Sequence, residues 1–287
     1  MSGIKENYFL ILLANTCVKC LQVKLSCMIK IIYTICFIFS TFITFAQDEK
    51  LSADRPGKTN NPGTVIKNWI QVETGFSLQT EKNNYPRKDL YFQHPYLLTK
   101  YGLGQRIEIR LITELVTIKE INVNGNNIRT GFNSVQLGGK FNFLKGKGLK
   151  PKISLIAHYD FRRFRTLYKG RDTIDGGNFR LAFEHNFSKN IFLSYNIGME
   201  WKRFGSPPAY IYTFSPRFDI TEKWAAFIEV FGYVYKSYAP ENSIDFGVAY
   251  FINNNFKIDA SAGFGLNKNA PDKFYAIGAS FRFKTGK

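Results

Sequence analysis

Apolar and polar residues alternate one by one along much of the chain beyond residue 68. Near the start of this region, Ile70, Val72 and Phe76 fall on one face of an extended chain, and Gln71 and Glu73 fall on the other. Such alternation is typical of a β-strand with one apolar and one polar side, and no segment here follows the 3.6-residue period of a helix. The pattern therefore predicts an all-β fold.

About twelve segments follow this rule, and the connections between them alternate in length. Short connections such as 102–105 and 221–223 alternate with longer ones such as 79–94 and 116–134. An even strand number, with short turns on one rim and longer loops on the other, is typical of a transmembrane antiparallel up-and-down β-barrel. The predicted strands are Ile70–Leu78, Pro95–Tyr101, Arg106–Leu115, Val135–Phe143, Ile153–Asp160, Phe179–Asn186, Phe192–Trp201, Tyr210–Ile220, Ala225–Tyr235, Ile244–Phe251, Phe256–Leu266 and Phe274–Phe283.

Backbone hydrogen bonding explains why a membrane protein would take this form. In hydrocarbon every unpaired N–H or C=O group is costly, so only helices and closed sheets span a bilayer. A mean hydropathy of −0.19 leaves no room for several apolar helices. We therefore expect the apolar strand faces to contact lipid and the polar faces to line a lumen. Aromatic residues near strand ends fit interfacial girdles; they include Trp69, Tyr101, Trp201, Trp224 and Tyr250.

The N-terminal region has the layout of a secretory signal peptide. Lys30 is followed by the uncharged residues 31–46, and Ala46 is a small residue suited to a cleavage site. We expect translation to begin at Met28; a membrane anchor over 31–46 is the alternative. The predicted parts are an upstream extension with the signal peptide at 1–46, a periplasmic lead or plug at 47–68, and a bacterial outer-membrane barrel at 69–287.

Cysteine positions and net charge limit the chemistry of the barrel. All four cysteines, Cys17, Cys20, Cys27 and Cys36, precede the predicted cleavage site. Cys17 and Cys20 form a C-x-x-C pair, but no second pair accompanies it, so we predict no metal and no cofactor. The net charge of +17 raises the question of nucleic acid. The inward strand faces carry both signs, so the positive excess lies in loops and turns, and we expect no nucleic acid partner.

Charged and polar side chains on the inward faces form the predicted lumen lining. Buried charges are retained only if they are paired or hydrated, which leaves two alternatives. Water fills a small pore, or the pairs and the lead at 52–68 close the barrel, and apolar compounds then need a lateral or gated route. The predicted lumen residues are Glu73, Glu108, Arg110, Lys140, His158, Arg180, Glu184, Glu200, Arg217, Glu229, Asp245 and Asp259.

A basic loop lies in the connection between the fifth and sixth predicted strands. Its cations are suited to the phosphates of an anionic outer-leaflet lipid, and a merely solvated loop is the alternative. The residues are Arg162, Arg163, Arg165, Lys169 and Arg171.

Known catalytic and nucleotide-binding motifs do not match the sequence. Gly57-Lys58-Thr59 resembles the end of a phosphate-binding loop, but the required first glycine falls at Ser52. The chain has no G-x-S-x-G or H-E-x-x-H motif, and no histidine has a serine two residues later. We predict that the protein is not an enzyme; a lipid-modifying enzyme and a structural or adhesive barrel remain the alternatives.

Several segments resemble an outer-membrane family named for the meta-pathway of phenol degradation. The main resemblance is Asp54–Val65 followed by Trp69–Phe76; shorter matches are Tyr101–Leu103, Phe179–Phe183, Tyr195–Gly198 and Ala270–Asp272. The resemblance covers nearly all of 52–283. It implies a transporter for small solutes, including aromatic or other apolar compounds, and it defines no ligand residues.

The last strand resembles the signal read by the outer-membrane assembly machinery. Gly278, Phe281 and Phe283 have the expected spacing, and the four-residue tail after Phe283 departs from it. The resemblance implies that the assembly machinery is a partner. The predicted partners are thus this machinery, outer-membrane lipid and a small-molecule solute.

Overall fold

Twelve strands form one closed antiparallel barrel. The computed structural model describes residues 50–82, 88–122, 125–146, 149–167 and 174–286. The predicted fold class, a β-barrel of twelve strands, is confirmed. The strands are β1 (Trp69–Lys82), β2 (Lys88–Gly102), β3 (Ile107–Asn122), β4 (Gly125–Leu144), β5 (Lys152–Asp160), β6 (Gly176–Asn186), β7 (Ile191–Trp201), β8 (Ala209–Asp219), β9 (Trp224–Tyr235), β10 (Glu241–Asn253), β11 (Phe256–Gly265) and β12 (Lys273–Lys284).

Each strand pairs with its neighbours in sequence, and β1 closes the barrel against β12. This last pairing runs from Trp69 opposite Lys284 to Thr80 opposite Lys273. Closure satisfies the backbone groups that an open sheet would leave at its edges. Among the residues that the structure describes, no helix is long and apolar enough to cross a membrane.

The barrel has two rims, which are defined by the connections that lie on them. Both ends of the barrel, at Trp69 and Lys284, lie on one rim together with the connections after β2, β4, β6, β8 and β10. We call this rim the turn side. The connections after the odd-numbered strands lie on the opposite rim, the loop side. A single turn of 3-10 helix, Arg162–Phe164, follows β5 there.

The alternation in the sequence separates the two faces of the wall. Phe76, Phe246 and Ile277 point outward and are exposed, whereas Lys140 and Glu229 point inward and are buried. A water-soluble protein shows the reverse arrangement, because burial of apolar surface stabilises its core. The apolar exterior therefore fits a barrel that spans a bilayer.

Two of the longer predicted connections are largely strand, so those boundaries were wrong. β3 and β4 continue as a hairpin to Asn122 and Gly125, which pair with each other. Many of their residues are polar, which made the segment resemble a loop, but Val116 and Ile118 alternate and pack against Leu167. Tertiary packing on an extended hairpin thus overrides a composition typical of loops.

The second strand also begins earlier than the predicted Pro95. β2 starts at Lys88 and includes Pro95, which has no N–H to donate to a neighbouring strand. The ladder tolerates this residue because the register shifts between Gln93 and Tyr96 where β2 meets β3. A bulge thus accommodates the proline that sequence reasoning placed at a strand end.

Candidate functional site

The chain before β1 lies inside the barrel. We call residues 51–66 the inner segment. Its first residue, Leu51, donates its N–H to the carbonyl oxygen of Asn254 (2.8 Å) in a turn-side connection. Just after its end, Asn68 donates to the carbonyl oxygen of Gly102 (2.9 Å), also on the turn side. The segment therefore enters and leaves through the same rim.

A buried ion cluster holds the inner segment to the wall. One carboxylate oxygen of Asp54 lies 2.7 Å from Lys100 Nζ and 2.8 Å from Arg110 Nη2, and Lys140 Nζ lies 3.6 Å from the other. Burial alone would raise the pKa of the Asp54 carboxyl, but the three cations outweigh it and hold that pKa well below its ordinary value. Asp54 is therefore ionised over the physiological pH range.

Two further carboxylates balance the charge of these cations. Glu73 lies 2.5 Å from Lys100 Nζ, and Glu108 lies 2.8 Å from Arg110 Nη1 and 3.4 Å from Lys140 Nζ. With Asp54, the cluster contains three anions and three cations, all buried. Removing one member would leave an uncompensated buried charge, which is far more costly than a lost surface ion pair.

The same wall carboxylates accept hydrogen bonds from the backbone of the inner segment. Glu73 accepts the N–H groups of Asp54 (2.9 Å) and Arg55 (3.0 Å), and Glu108 accepts that of Val65 (2.7 Å). A segment without regular secondary structure needs such partners when it is buried. The inward acids of β1 and β3 thus replace the strand or helix that would otherwise satisfy this backbone.

Acids on the other side of the barrel bind the middle of the inner segment. Glu229 on β9 accepts the N–H groups of Lys58 and Thr59, both at 2.6 Å. Glu184 on β6 accepts a hydrogen bond from the Asn61 side chain (2.8 Å). The segment is therefore attached at opposite positions on the wall and lies across the lumen.

Arg55 occupies a seat made by two glycines. Its Nη2 lies 3.0 Å from an oxygen of Asp259, and its carbonyl accepts a hydrogen bond from Lys257 Nζ (2.6 Å). A Cβ at Gly75 or Gly278, which pair across β1 and β12, would lie 2.6 or 2.3 Å from the guanidinium nitrogen. Only residues without a side chain leave this space for the arginine.

Asparagines complete the attachment. Asn196 accepts the N–H of Asn60 at 2.7 Å and donates to its carbonyl at 3.0 Å, while Asn142 donates to the carbonyl of Pro62 at 3.3 Å. Sequence reasoning missed both wall asparagines and Lys100. The alternation of apolar and polar residues does place all three side chains on the inward face. The asparagines were missed because they carry no charge, and Lys100 was missed because it lies on β2, whose start was predicted wrongly.

A cavity of about 880 Å³ lies on the loop side of the inner segment. Asp54, Arg55 and Lys58 contribute to its floor. Its walls come from the loop-side halves of the strands. The turn-side half of the interior is therefore filled by chain, and the loop-side half encloses space.

One wall of the cavity is a chain of hydrogen bonds across β3 to β6. Arg110 Nε donates to His158 Nε2 (3.0 Å), so His158 Nδ1 carries the proton and donates to Asn178 Oδ1 (3.0 Å). Asn178 donates to Gln136 (3.2 Å), and Gln136 donates to Ser134 (2.8 Å). The chain runs from the ion cluster toward the loop side.

The wall formed by β9 and β12, across the barrel, is aromatic. Phe231 and Tyr233 come from β9, and Phe274 comes from β12. The rings of Phe231 and Phe274 are in edge-on contact, with centroids 5.8 Å apart. The cavity therefore offers a hydrogen-bonding wall and an aromatic wall to one small molecule.

The predicted lumen residues fall into three groups. Arg217 lies near the turn side, with its guanidinium 4.1 Å from the ring centre of Phe192. Five line the cavity: Arg110, His158, Arg180, Glu200 and Asp245. Six others contact the inner segment directly: Glu73, Glu108, Lys140, Glu184, Glu229 and Asp259.

The predicted basic loop does not form one basic surface in the described residues. Arg162 and Arg165 line the cavity, and Arg165 donates to the carbonyl oxygen of Asn133 (2.5 Å). Arg163 points outward, with 68% of its side chain exposed. Lys169 and Arg171 lie outside the described residues.

Comparison with known proteins identifies the family. A family model described as "Putative MetA-pathway of phenol degradation" matches residues 53–283. The chain belongs to this family. The match begins one residue before Asp54, so the motif that resembled the family at the sequence level is the part of the chain attached across the lumen. No curated protein sequence is significantly similar to the chain.

A solved structure shares the fold at low sequence identity. An outer membrane channel from Pseudomonas putida F1 is 11% identical, with a TM-score of 0.61, covering 79% of this chain and 99% of that one. The KdgM porin is 9% identical (TM-score 0.48; 74% and 99% covered), and the CymD monoaromatic hydrocarbon channel is 9% identical (0.46; 85% and 100%). The fold is that of bacterial outer-membrane barrels, as the sequence predicted.

Proposed function

We propose that the protein is an outer-membrane channel for passive passage of small solutes, and that the inner segment is its gate. The observation that carries the proposal is the position of this segment, attached across the lumen below a cavity of about 880 Å³. Family membership and the fold shared with a bacterial outer-membrane channel support it. The cavity volume lies within the range of about 300–1,000 Å³ that is usual for small-molecule sites.

The contacts of the inner segment suit a gate more than a permanent core. Hydrogen bonds and ion pairs dominate them, and few of its side chains are buried and apolar, notably Leu51 and Val65. If the segment moves, water can solvate the polar wall groups that it leaves, so opening exposes little apolar surface. The two alternatives left open by the sequence, a pore and a closed barrel, then become two states of one molecule.

The walls of the cavity favour a small aromatic or weakly polar solute. A ring can pack against Phe231, Tyr233 and Phe274, while a polar substituent reaches the amides of Gln136 or Asn178. The family description, which refers to phenol degradation, agrees with this class. An apolar solute does not cross the ion cluster unaided, so its passage needs the gate to open or a lateral route.

Current and solute flux through the protein in a lipid bilayer test the proposal. We expect discrete current steps in planar bilayers and uptake of a small phenolic compound by protein-loaded vesicles above the rate of empty ones. A folded protein that gives neither steps nor uptake would contradict the channel and favour a structural or adhesive barrel. The β3–β4 hairpin, with exposed Ile128 near its tip, is the feature that such a barrel would present.

Two predicted partners belong to the same proposal. Anionic outer-leaflet lipid would contact the exposed Arg163 on the loop side. The assembly machinery would bind β12, whose Phe281 and Phe283 stack with centroids 6.4 Å apart. Binding assays with each partner test these two interactions separately from transport.

A further inference from the structure

Exposed apolar side chains lie beyond the strand ends on the turn side. Leu149, Phe187 and Ile220 are 72%, 55% and 64% exposed, and Leu103 is similarly placed after β2. These residues sit in connections, where side chains of a water-soluble protein are usually polar. Their exposure indicates that this rim extends into an apolar or interfacial medium.

Each of these connections also carries an exposed cation within four residues. Arg106 follows Leu103, Lys150 is next to Leu149, Lys189 follows Phe187, and Lys223 follows Ile220; Lys145 lies in the same connection as Lys150. We call these nine residues the turn-side collar. In the described part of these connections, the one acid is Glu222. The collar therefore combines apolar and cationic side chains at each of four positions around the rim.

Flanking residues extend the positive charge. Lys67 and Lys284, at the two ends of the barrel, are exposed on the same rim. The connection after β10 lacks a cation, and there Leu51 of the inner segment binds Asn254. The cation at this position comes instead from Lys50, which lies 3.7 Å from Asp219.

We propose that the turn-side collar binds the phosphate headgroups of anionic phospholipids in the leaflet that surrounds this rim. The five collar cations favour a partner that carries negatively charged phosphates. An anionic membrane surface attracts such cations within about a Debye length. The apolar members select a lipid over a soluble polyanion, because a polyanion would contact Lys150 and Lys189 yet leave Leu149 and Phe187 in water. This inference concerns a surface far from the cavity and does not depend on transport.

A probe at the turn side measures which lipid occupies the collar. The chain has no cysteine beyond Cys36, so Asn190→Cys in the connection after β6 provides a single label position in the barrel. The labelled protein is placed in vesicles that contain a spin-labelled quencher, either phosphatidylglycerol or phosphatidylcholine, at equal mole fraction. We expect phosphatidylglycerol to quench at least about twofold more strongly in the unsubstituted collar.

Two variants with equal numbers of substitutions isolate the collar. In R106Q/K145Q/K150Q/K189Q/K223Q we expect the ratio of quenching by phosphatidylglycerol to quenching by phosphatidylcholine to fall toward one, with Lys67 and Lys284 as remaining exposed cations of the rim. In the loop-side control R163Q/K202Q/R203Q/K236Q/K268Q we expect it to remain unchanged, because these cations lie on the opposite rim. A label at Ser237→Cys, on the loop side, should respond in the opposite way. Its quenching ratio should fall in the loop-side variant and remain unchanged in the collar variant.

Salt supplies a measurement that needs no substitution in the collar. About 0.5 M sodium chloride should lower the phosphatidylglycerol preference at Asn190→Cys, because salt screens exposed charges. Equal quenching by both lipids at low salt would overturn the proposal in favour of a merely solvated rim. A preference that survives both high salt and the five glutamine substitutions would also overturn it, because the collar cations would then not be the source of the preference.

Discussion

The two halves of the barrel interior have the same alternating wall but different occupants. In the turn-side half, inward groups such as Glu73, Lys140 and Asn196 bind the inner segment, and they are almost fully buried. In the loop-side half, inward groups such as Gln136 and Tyr233 line a cavity. A strand pattern therefore specifies which side chains face the lumen, while a segment outside the pattern decides which of them remain free to contact a solute.

Substitutions in the two halves should differ in their energetic cost. The turn-side charges are paired in a dry cluster of three anions and three cations, so loss of any member leaves one buried charge uncompensated. The loop-side polar groups adjoin space that water or a solute can fill, so substitutions there remove one contact at a time. We therefore expect large effects on gating from the first half and small effects on solute binding from the second.

The largest effect should follow from Asp54→Ala. The substitution leaves Lys100, Arg110 and Lys140 with one carboxylate fewer, and it should weaken docking of the inner segment by about 3–5 kcal/mol. We expect a higher open probability in single-channel recordings and faster proteolysis within 51–66. Asp175→Asn, which removes a carboxylate on the loop side outside the lumen, is the control and should leave both unchanged.

Arg55→Gln should have an intermediate effect. It removes the ion pair with Asp259 and leaves that acid buried, which should cost about 1.5–3 kcal/mol of docking free energy. Open probability measured as above should rise less than in Asp54→Ala. An opening as large as that of Asp54→Ala would mean that the glycine seat, and not the ion cluster, dominates docking.

Asn196→Ala should have a smaller effect on the gate. It removes the two hydrogen bonds with Asn60 and should weaken docking by about 1–2 kcal/mol. The open probability should rise about 5- to 30-fold, and the channel should still close. The matched control is Asn190→Ala, which removes an asparagine side chain in the turn after β6. We expect it to leave the open probability unchanged.

The smallest effect concerns pH, and its sign follows from the lowered pKa of Asp54. A carboxyl whose pKa is lowered in the docked state contributes stability above its undocked pKa, about 3.9, and loses that contribution as the pH falls through the docked value. Gating through Asp54 should therefore be flat from about pH 5 to 8. Opening of the unsubstituted channel on acidification from about pH 8 to 5 would contradict this prediction, because Asp54 stays ionised over that range.

Much of the fold could be predicted from the sequence because a barrel wall repeats one simple rule. Alternation at Ile70 to Phe76 and in eleven similar segments specified the strands, the lumen face and the lipid face. Polar composition hid the β3–β4 hairpin, whose strand character depends on packing with Leu167. Pro95 hid the first half of β2, because a single sequence does not show where a bulge will tolerate proline.

The division of the interior could not be predicted, for a physical reason. Residues 54–63 have no periodicity, so their path depends on contacts with strands far away in sequence. Glu73 and Glu200 look alike in the pattern, yet one binds backbone of the inner segment and the other lines the cavity. That distinction arises only when the segment occupies one half of the lumen.

A reversible crosslink between the inner segment and the wall tests the gate most directly. Thr59 Oγ1 and Thr213 Oγ1 are 2.7 Å apart, so cysteines at both positions should form a disulfide without moving the segment. The pair is placed in Asp54→Ala, with the single Thr59→Cys variant as control. We predict that oxidation suppresses the current steps of the double-cysteine protein and that a reductant restores them. Equal current in the oxidised and reduced protein would contradict the account, because ions would then pass without displacement of the inner segment.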